Sequence, residues 1–166
     1  MDLKPYRAEY GRFLVEHRDW PVDAKEFARF AAKGSEPIGA ATLIWNPEGQ
    51  ILLLRHRPET GWQGLWATPG GLGERGETPG DCAVRETKEE TGLDLSITTL
   101  TKVVICHVTS EDRSLPYTFF QFEGKAQGTP RPGKRILAAA WVDGLPVDMH
   151  FRADYLEPWM GRRPKL

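Results

Sequence analysis

The sequence predicts an α/β protein, with a central mixed sheet, one well-capped helix on one face and at least one further helix on the other. Two observations carry this. Five apolar runs of strand length, at Ile38–Trp45, 51–55, 100–108, 117–123 and Ile136–Val142, are separated by turn-rich stretches. Between the second and third run, Pro79–Thr91 is bounded by the start and stop signals of a helix. With 166 residues and 40% hydrophobic content, the chain can bury one sizeable core.

Residues 1–36 read as a helical appendage to a main domain over 37–166. Tyr10, Phe13, Leu14 and His17 have helical spacing, as do Phe27, Phe30 and Ala31 after Asp23, with Trp20-Pro21 between the two sets. Two short helices are expected here, packed on the domain or on a second copy in a homodimer. IGAATLIW is a strand candidate, Asn46-Pro47-Glu48-Gly49 a turn, and ILLLR the returning arm of a hairpin. Arg55, His56 and Arg57 end that arm beside the loop ETGWQGLWATPGG. Arg55 and Arg57 are candidates to hold substrate phosphates, since a guanidinium can bind them in bidentate fashion. Solvated charges at a strand end are the equal alternative. Trp62 is the candidate for stacking on a base, and Trp66 the candidate for the core.

Thr78 stands at a helix N-cap, Pro79 at the first helical position, Asp81 in the first turn and Gly92 at the C′ position. At about 100° per residue, Glu86, Glu89 and Glu90 fall within one arc of this helix, while Ala83, Val84 and Thr87 form a side available for the sheet. Like charges at such spacing repel by a few tenths of a kcal/mol per pair, so a positive group is expected over them. Lys88 points elsewhere and Arg85 flanks one edge, which favours a hard cation. Mg²⁺ and Mn²⁺ prefer oxygen ligands and keep waters that a phosphate can displace. The commoner fate of a glutamate-rich helix is to face water.

The spacing weighs against that. Gly71, five residues, Glu77, seven residues, Arg85-Glu86, two residues, Glu89-Glu90, one residue and Gly92-Leu93 resembles the signature of the Nudix hydrolases at every charged and glycine position. Thr87 departs from the pattern, where an aliphatic residue is usual. The resemblance is tight over 70–93 and looser over about 38–142. It implies an α/β/α sandwich and divalent-metal-dependent hydrolysis of the pyrophosphate linkage in a nucleoside diphosphate derivative, with the Gly70 or Gly71 carbonyl completing the coordination. Glu86 and Glu90, one turn apart, are the expected principal ligands. Glu89 is expected to ligate directly or through water and is the candidate general base. Glu77 and Arg85 are expected to support loop and helix through a salt bridge. In many members one or two glutamates precede the last strand and help hold metal or activate water, whereas here Lys134 and Arg135 stand in that region. A non-catalytic module that binds a nucleotide or a partner is the alternative.

A polar stretch at 109–116 carries Glu111 and Asp112, which are usually exposed in such loops. The segment 124–133 is a glycine- and proline-marked loop, and Tyr155, Leu156 and Trp159 suggest a last packing helix before a basic tail. A net charge of −1 gives no reason to expect nucleic acid as a partner. Two cysteines, Cys82 and Cys106, argue against a disulfide scaffold. With no apolar run of bilayer length and no signal-peptide core, the expectation is a cytoplasmic protein acting on a small nucleotide.

Overall fold

The computed structural model describes residues 1–60 and 64–162. In chain order the elements are α1 (Lys4–Tyr10), β1 (Leu14–Pro21), α2 (Ala24–Ala31), β2 (Ile38–Trp45), β3 (Ile51–His56), β4 (Trp66–Ala67), β5 (Gly70–Leu72), α3 (Pro79–Thr91), β6 (Ser96–Ser110), β7 (Arg113–Lys125), β8 (Ile136–Val142) and α4 (Arg152–Arg162).

The strands form one mixed sheet in the order β1-β6-β7-β2-β3-β4, with β5 added to β2 and β8 to β3. β1 is parallel to β6 and β2 to β7, while β6 and β7 form a long antiparallel hairpin. The edge of β2 away from β7 is shared by two partners. β5 takes Gly39, Ala40 and Ala41, and β3 meets only Trp45. The sheet therefore divides between β5 and β3, and α3 reaches across the division.

Alternation along the strands sends their side chains into two layers. On one face, Phe120, Phe122, Val103, Leu100 and Ala40 pack with Cys82 and Ala83 of α3, and with Tyr6 and Tyr10 of α1. On the other, α2 brings Phe27 and Phe30 against Val104, Val108 and Tyr117, and α4 brings Tyr155 against Leu43, Ile51 and Leu53. Each such large apolar side chain contributes about 1.5–3 kcal/mol by leaving water. The result is the expected α/β/α sandwich. No helix among the described residues is long and apolar enough to cross a membrane.

The N-terminal segment differs from the expectation of two helices. α2 forms as read, with the Asp23 carboxylate accepting the Glu26 N–H at 2.8 Å. Residues 14–21, however, are an edge strand of the main sheet. Their exposure alternates, with Glu16, Arg18 and Trp20 half-buried. Trp20 packs against Phe30 and Phe151, and Arg18 bonds to Asp154 of α4. The helical spacing of Tyr10, Phe13, Leu14 and His17 arose where a short helix ends and a strand begins.

The stretch 109–116 likewise extends the two strands instead of forming a loop. Only Glu111 and Asp112 turn the hairpin, with Ser110 opposite Arg113 and Glu111 at a positive φ of 56°. On α3, Val84 is 41% exposed, and Cys82 takes the place expected for it against the sheet.

Candidate active site

α3 forms because its ends are satisfied locally. The Thr78 hydroxyl accepts the Asp81 N–H, Pro79 opens the first turn, and Gly92 at φ 72° turns its N–H back to the Lys88 carbonyl. Thr87, the departure from the aliphatic pattern, is fully buried and donates its hydroxyl to the Ala83 carbonyl at 2.8 Å, which satisfies it without a partner in the sheet. The segment after β7 seals the helix C-terminus. The N–H groups of Arg131 and Gly133 donate to the carbonyls of Thr91 and Glu90. A Cβ on Gly133 would overlap the Glu89 carbonyl.

This helix presents two carboxylates inward. Glu90 is buried and accepts the Gly70 N–H at 3.0 Å. Its other oxygen lies 3.9 Å from His56 Nε2, so Glu90 bridges the division between β5 and β3. Glu86 packs against the glycine turn, since a Cβ on Gly71 would stand 2.5 Å from Glu86 Oε1. The Gly71 carbonyl in turn accepts the Cys82 thiol at 3.6 Å. Glu89 is open, its side chain 60% exposed.

Arg85 reaches further than one edge. It grips Glu77 through two bonds of 2.7 and 2.9 Å, donates to Glu86 at 2.9 Å and Glu89 at 3.4 Å, and donates to the Leu72 carbonyl. Glu77 also accepts the Glu74 N–H. Loop, β5 and helix are thus tied by one guanidinium. Lys88 does point away, to Asp94.

The charge balance at this point is unfavourable. Burial pushes the Glu90 carboxyl up to about 8, against the opposing Gly70 N–H, and the Glu86 charge adds to the rise. Burial raises Glu86 as well, and Arg85 only partly offsets it. His56 is driven down to about 4, first by burial and then by the charges of Arg135 and His150. Although 3.9 Å is an ion-pair distance, the His56 imidazole is therefore neutral near pH 7, and its contact with Glu90 carries no full salt bridge. One buried and one half-buried carboxylate with too little positive charge, behind a turn of bare backbone, are a hard-oxygen donor set that fits a divalent cation. Among the described residues, no three His, Cys, Asp or Glu side chains converge as a ready-made metal cluster.

Of the remaining expected positions, Arg55 and Arg57 make contacts to loop backbone. Arg55 donates its Nε to the Gly64 carbonyl at 2.6 Å and lies over the Trp66 ring. Arg57 donates its Nε to the Lys134 carbonyl. Both hold loops. Trp66 packs partly buried against the α4 side of the core, and Trp62 lies outside the described residues. Two further residues belong near the site. His56 shares the α3 face of β3 with Leu52 and Leu54, a placement that strand alternation implies but that a lone histidine does not announce. Arg135 was visible only as a departure from a pattern.

An α/β/α sandwich whose divided sheet is spanned by a capped helix bearing paired glutamates against a glycine turn defines a recognisable class. The family model of the NUDIX domain matches residues 36–159, and the chain belongs to that family. An octanoyltransferase from Myxococcus xanthus is 36% identical over 102 residues, 58% of this chain and 27% of its own length. An ADP-ribose pyrophosphatase from Methanocaldococcus jannaschii is 40% identical over 91 residues, 55% of this chain and 48% of its own length. The chain thus spans about half, or less, of the length of these curated relatives. Among solved structures, the MutT NUDIX hydrolase from Burkholderia pseudomallei has a TM-score of 0.56 at 27% identity, covering 71% of this chain and 92% of that one. Nudix hydrolases generally use divalent metal ions.

Proposed function

We propose that this protein is a pyrophosphohydrolase that cleaves the phosphoanhydride linkage of a small nucleoside diphosphate derivative, such as a nucleoside triphosphate or a sugar nucleotide, with Mg²⁺ or Mn²⁺. The observation that carries this reading is the pair of buried Glu90 and half-buried Glu86, one turn apart and both packed against Gly70-Gly71. The relative named as an ADP-ribose pyrophosphatase supports the substrate class.

Glu86 and Glu90 would hold the ion, with backbone oxygen from Gly70 or Gly71. The bound ion would supply Lewis-acid stabilisation of the phosphate oxygens and lower the pKa of a coordinated water. Arg85, fixed by Glu77, orients Glu86 and ties the glycine turn to the helix, and such supporting contacts matter nearly as much as ligands. Glu89, the exposed carboxylate of the three, would accept a proton from water as general base. Its oxygen is held only by a 3.4 Å contact to Arg85. Two buried free cysteines are consistent with a cytoplasmic setting. A homodimer would use the outer edge of β1, which pairs only with β6 among the described residues.

A panel of nucleotides, including ADP-ribose and nucleoside triphosphates, assayed with Mg²⁺ or Mn²⁺ for release of a monophosphate product tests this directly. Glu90→Gln is expected to lower turnover by orders of magnitude while the circular dichroism spectrum and the melting transition persist. Metal-dependent turnover that survives in Glu90→Gln removes the assignment. A folded wild type that binds these nucleotides and cleaves none would instead establish a non-catalytic module.

A further inference from the structure

Arg135 sits where the chain passes from the seal over α3 into β8. Its backbone is fixed on both sides. The Gly133 N–H donates to the Glu90 carbonyl, the Ile136 N–H to the Gly133 carbonyl, and the Arg135 carbonyl accepts the Arg57 N–H at 3.1 Å. Ile136 then stands opposite His56 in the sheet, and His56 touches Glu90. The positive charge of Arg135 bears on Glu86, Glu90 and His56 together.

The guanidinium is nevertheless uncommitted. It is exposed, and among the described residues it makes no hydrogen bond or ion pair. Its neighbours differ. Arg85 is occupied by Glu77, Glu86, Glu89 and the Leu72 carbonyl, and Arg55 and Arg57 each spend Nε on a backbone carbonyl. A planar fork of donors on a backbone anchored to the Glu90 turn and to the strand end carrying His56, making no bond to the two carboxylates its charge acts on, suits a planar or tetrahedral oxyanion that arrives with the substrate. Paired carboxylates by themselves repel a diphosphate, and an arginine at their rim offsets that repulsion.

We infer that Arg135 binds the diphosphate of the substrate, so that this chain places a side-chain cation on an anchored backbone in the region where an acidic residue is usual for the family. The inference rests on the hydrolase reading of Glu86 and Glu90. It makes Arg135 a substrate-binding residue whose loss acts on affinity more than on the chemical step.

The test uses the full chain, α,β-methylene-ADP as a non-hydrolysable probe, and two separate titrations. In calorimetry of the Mn²⁺-loaded protein, Arg135→Gln is expected to weaken the analogue about tenfold or more, and Arg135→Lys to recover part of the loss. Mn²⁺ affinity of the nucleotide-free protein, read from the electron paramagnetic resonance of free Mn²⁺, is expected to hold or tighten in Arg135→Gln, because a positive charge beside the carboxylates has gone. Analogue affinity within twofold of the wild type overturns the inference, as does a fall in Mn²⁺ affinity, which would make Arg135 a support for the carboxylates. A wild type that binds Mn²⁺ but not the analogue defeats this inference alone. One that binds neither defeats the hydrolase reading as well.

Discussion

Glu90 shows how little of a residue's role resides in its own chemistry. It is one of three glutamates within five positions of α3, yet only Glu86 and Glu90 pack against the glycine turn, while Glu89 stays 60% exposed. The helix periodicity places all three on one arc, but the approach of Gly70 and Gly71 picks out the two that pack inward. Gly71 is a sharp test of this geometry. An added Cβ would stand 2.5 Å from Glu86 Oε1 and 2.6 Å from Cδ, so Gly71→Ala should displace a movable carboxylate more than the backbone. Mn²⁺ affinity is expected to fall about 10–100-fold with a loss of stability of about 1–3 kcal/mol. A metal titration together with a urea melt measures both, and unchanged Mn²⁺ binding would show that Glu86 does not need this packing.

At the level of elements, α3 was legible to its ends because its punctuation is local. Thr78, Pro79 and Gly92 act through bonds within one turn of themselves. Removing those bonds should therefore have modest and separable costs. Thr78→Ala is expected to lower stability by about 1 kcal/mol, and Gly92→Ala, at φ 72°, by roughly 1–2 kcal/mol. Chemical denaturation of each variant and of the pair checks this, and the two costs should add because the ends are far apart. β1 was not legible. Its alternation of charged and apolar residues is weak, and what makes 14–21 a strand is the ladder offered by β6, a partner some ninety residues away in sequence. The hairpin at 109–116 was missed for a related reason. Polar residues such as Thr109, Ser110 and Arg113 are poor strand signals, yet long β6–β7 pairing carries the ladder through them.

For the molecule as a whole, the contact between β1, β6 and α4 is held by charge as well as by apolar packing. Asp154 accepts from Arg18 and from Lys102, and Glu16 pairs with both cations. Burial pushes the Asp154 carboxyl up, but the hydrogen bonds from Arg18 and Lys102 outweigh it and hold the carboxyl below its ordinary value. A carboxylate lowered in this way contributes stability that is complete above its unfolded value of 3.8 and is lost as the pH falls through the folded one. Asp154→Asn should therefore cost roughly 1.5–3 kcal/mol at pH 7, and the gap to the wild type should close as the pH drops below about 4. Equilibrium unfolding across pH 2–7 reads this out. A gap that widens on acidification would mean the carboxylate is not ionised in the fold.

The sequence by itself determined the α/β class, the limits of α3, two strands to the residue, and membership of a family that the match over residues 36–159 bears out. These follow from periodicity and from interactions within a few residues, which do not need the rest of the chain. Only the tertiary structure decided that residues 14–21 complete the sheet, that Arg55 and Arg57 each bond to loop backbone, that His56 meets Glu90, and that the Arg135 backbone lies beside the strand end carrying His56. Each of those depends on which distant backbones come together, and on burial that shifts a charge only after the chain has folded.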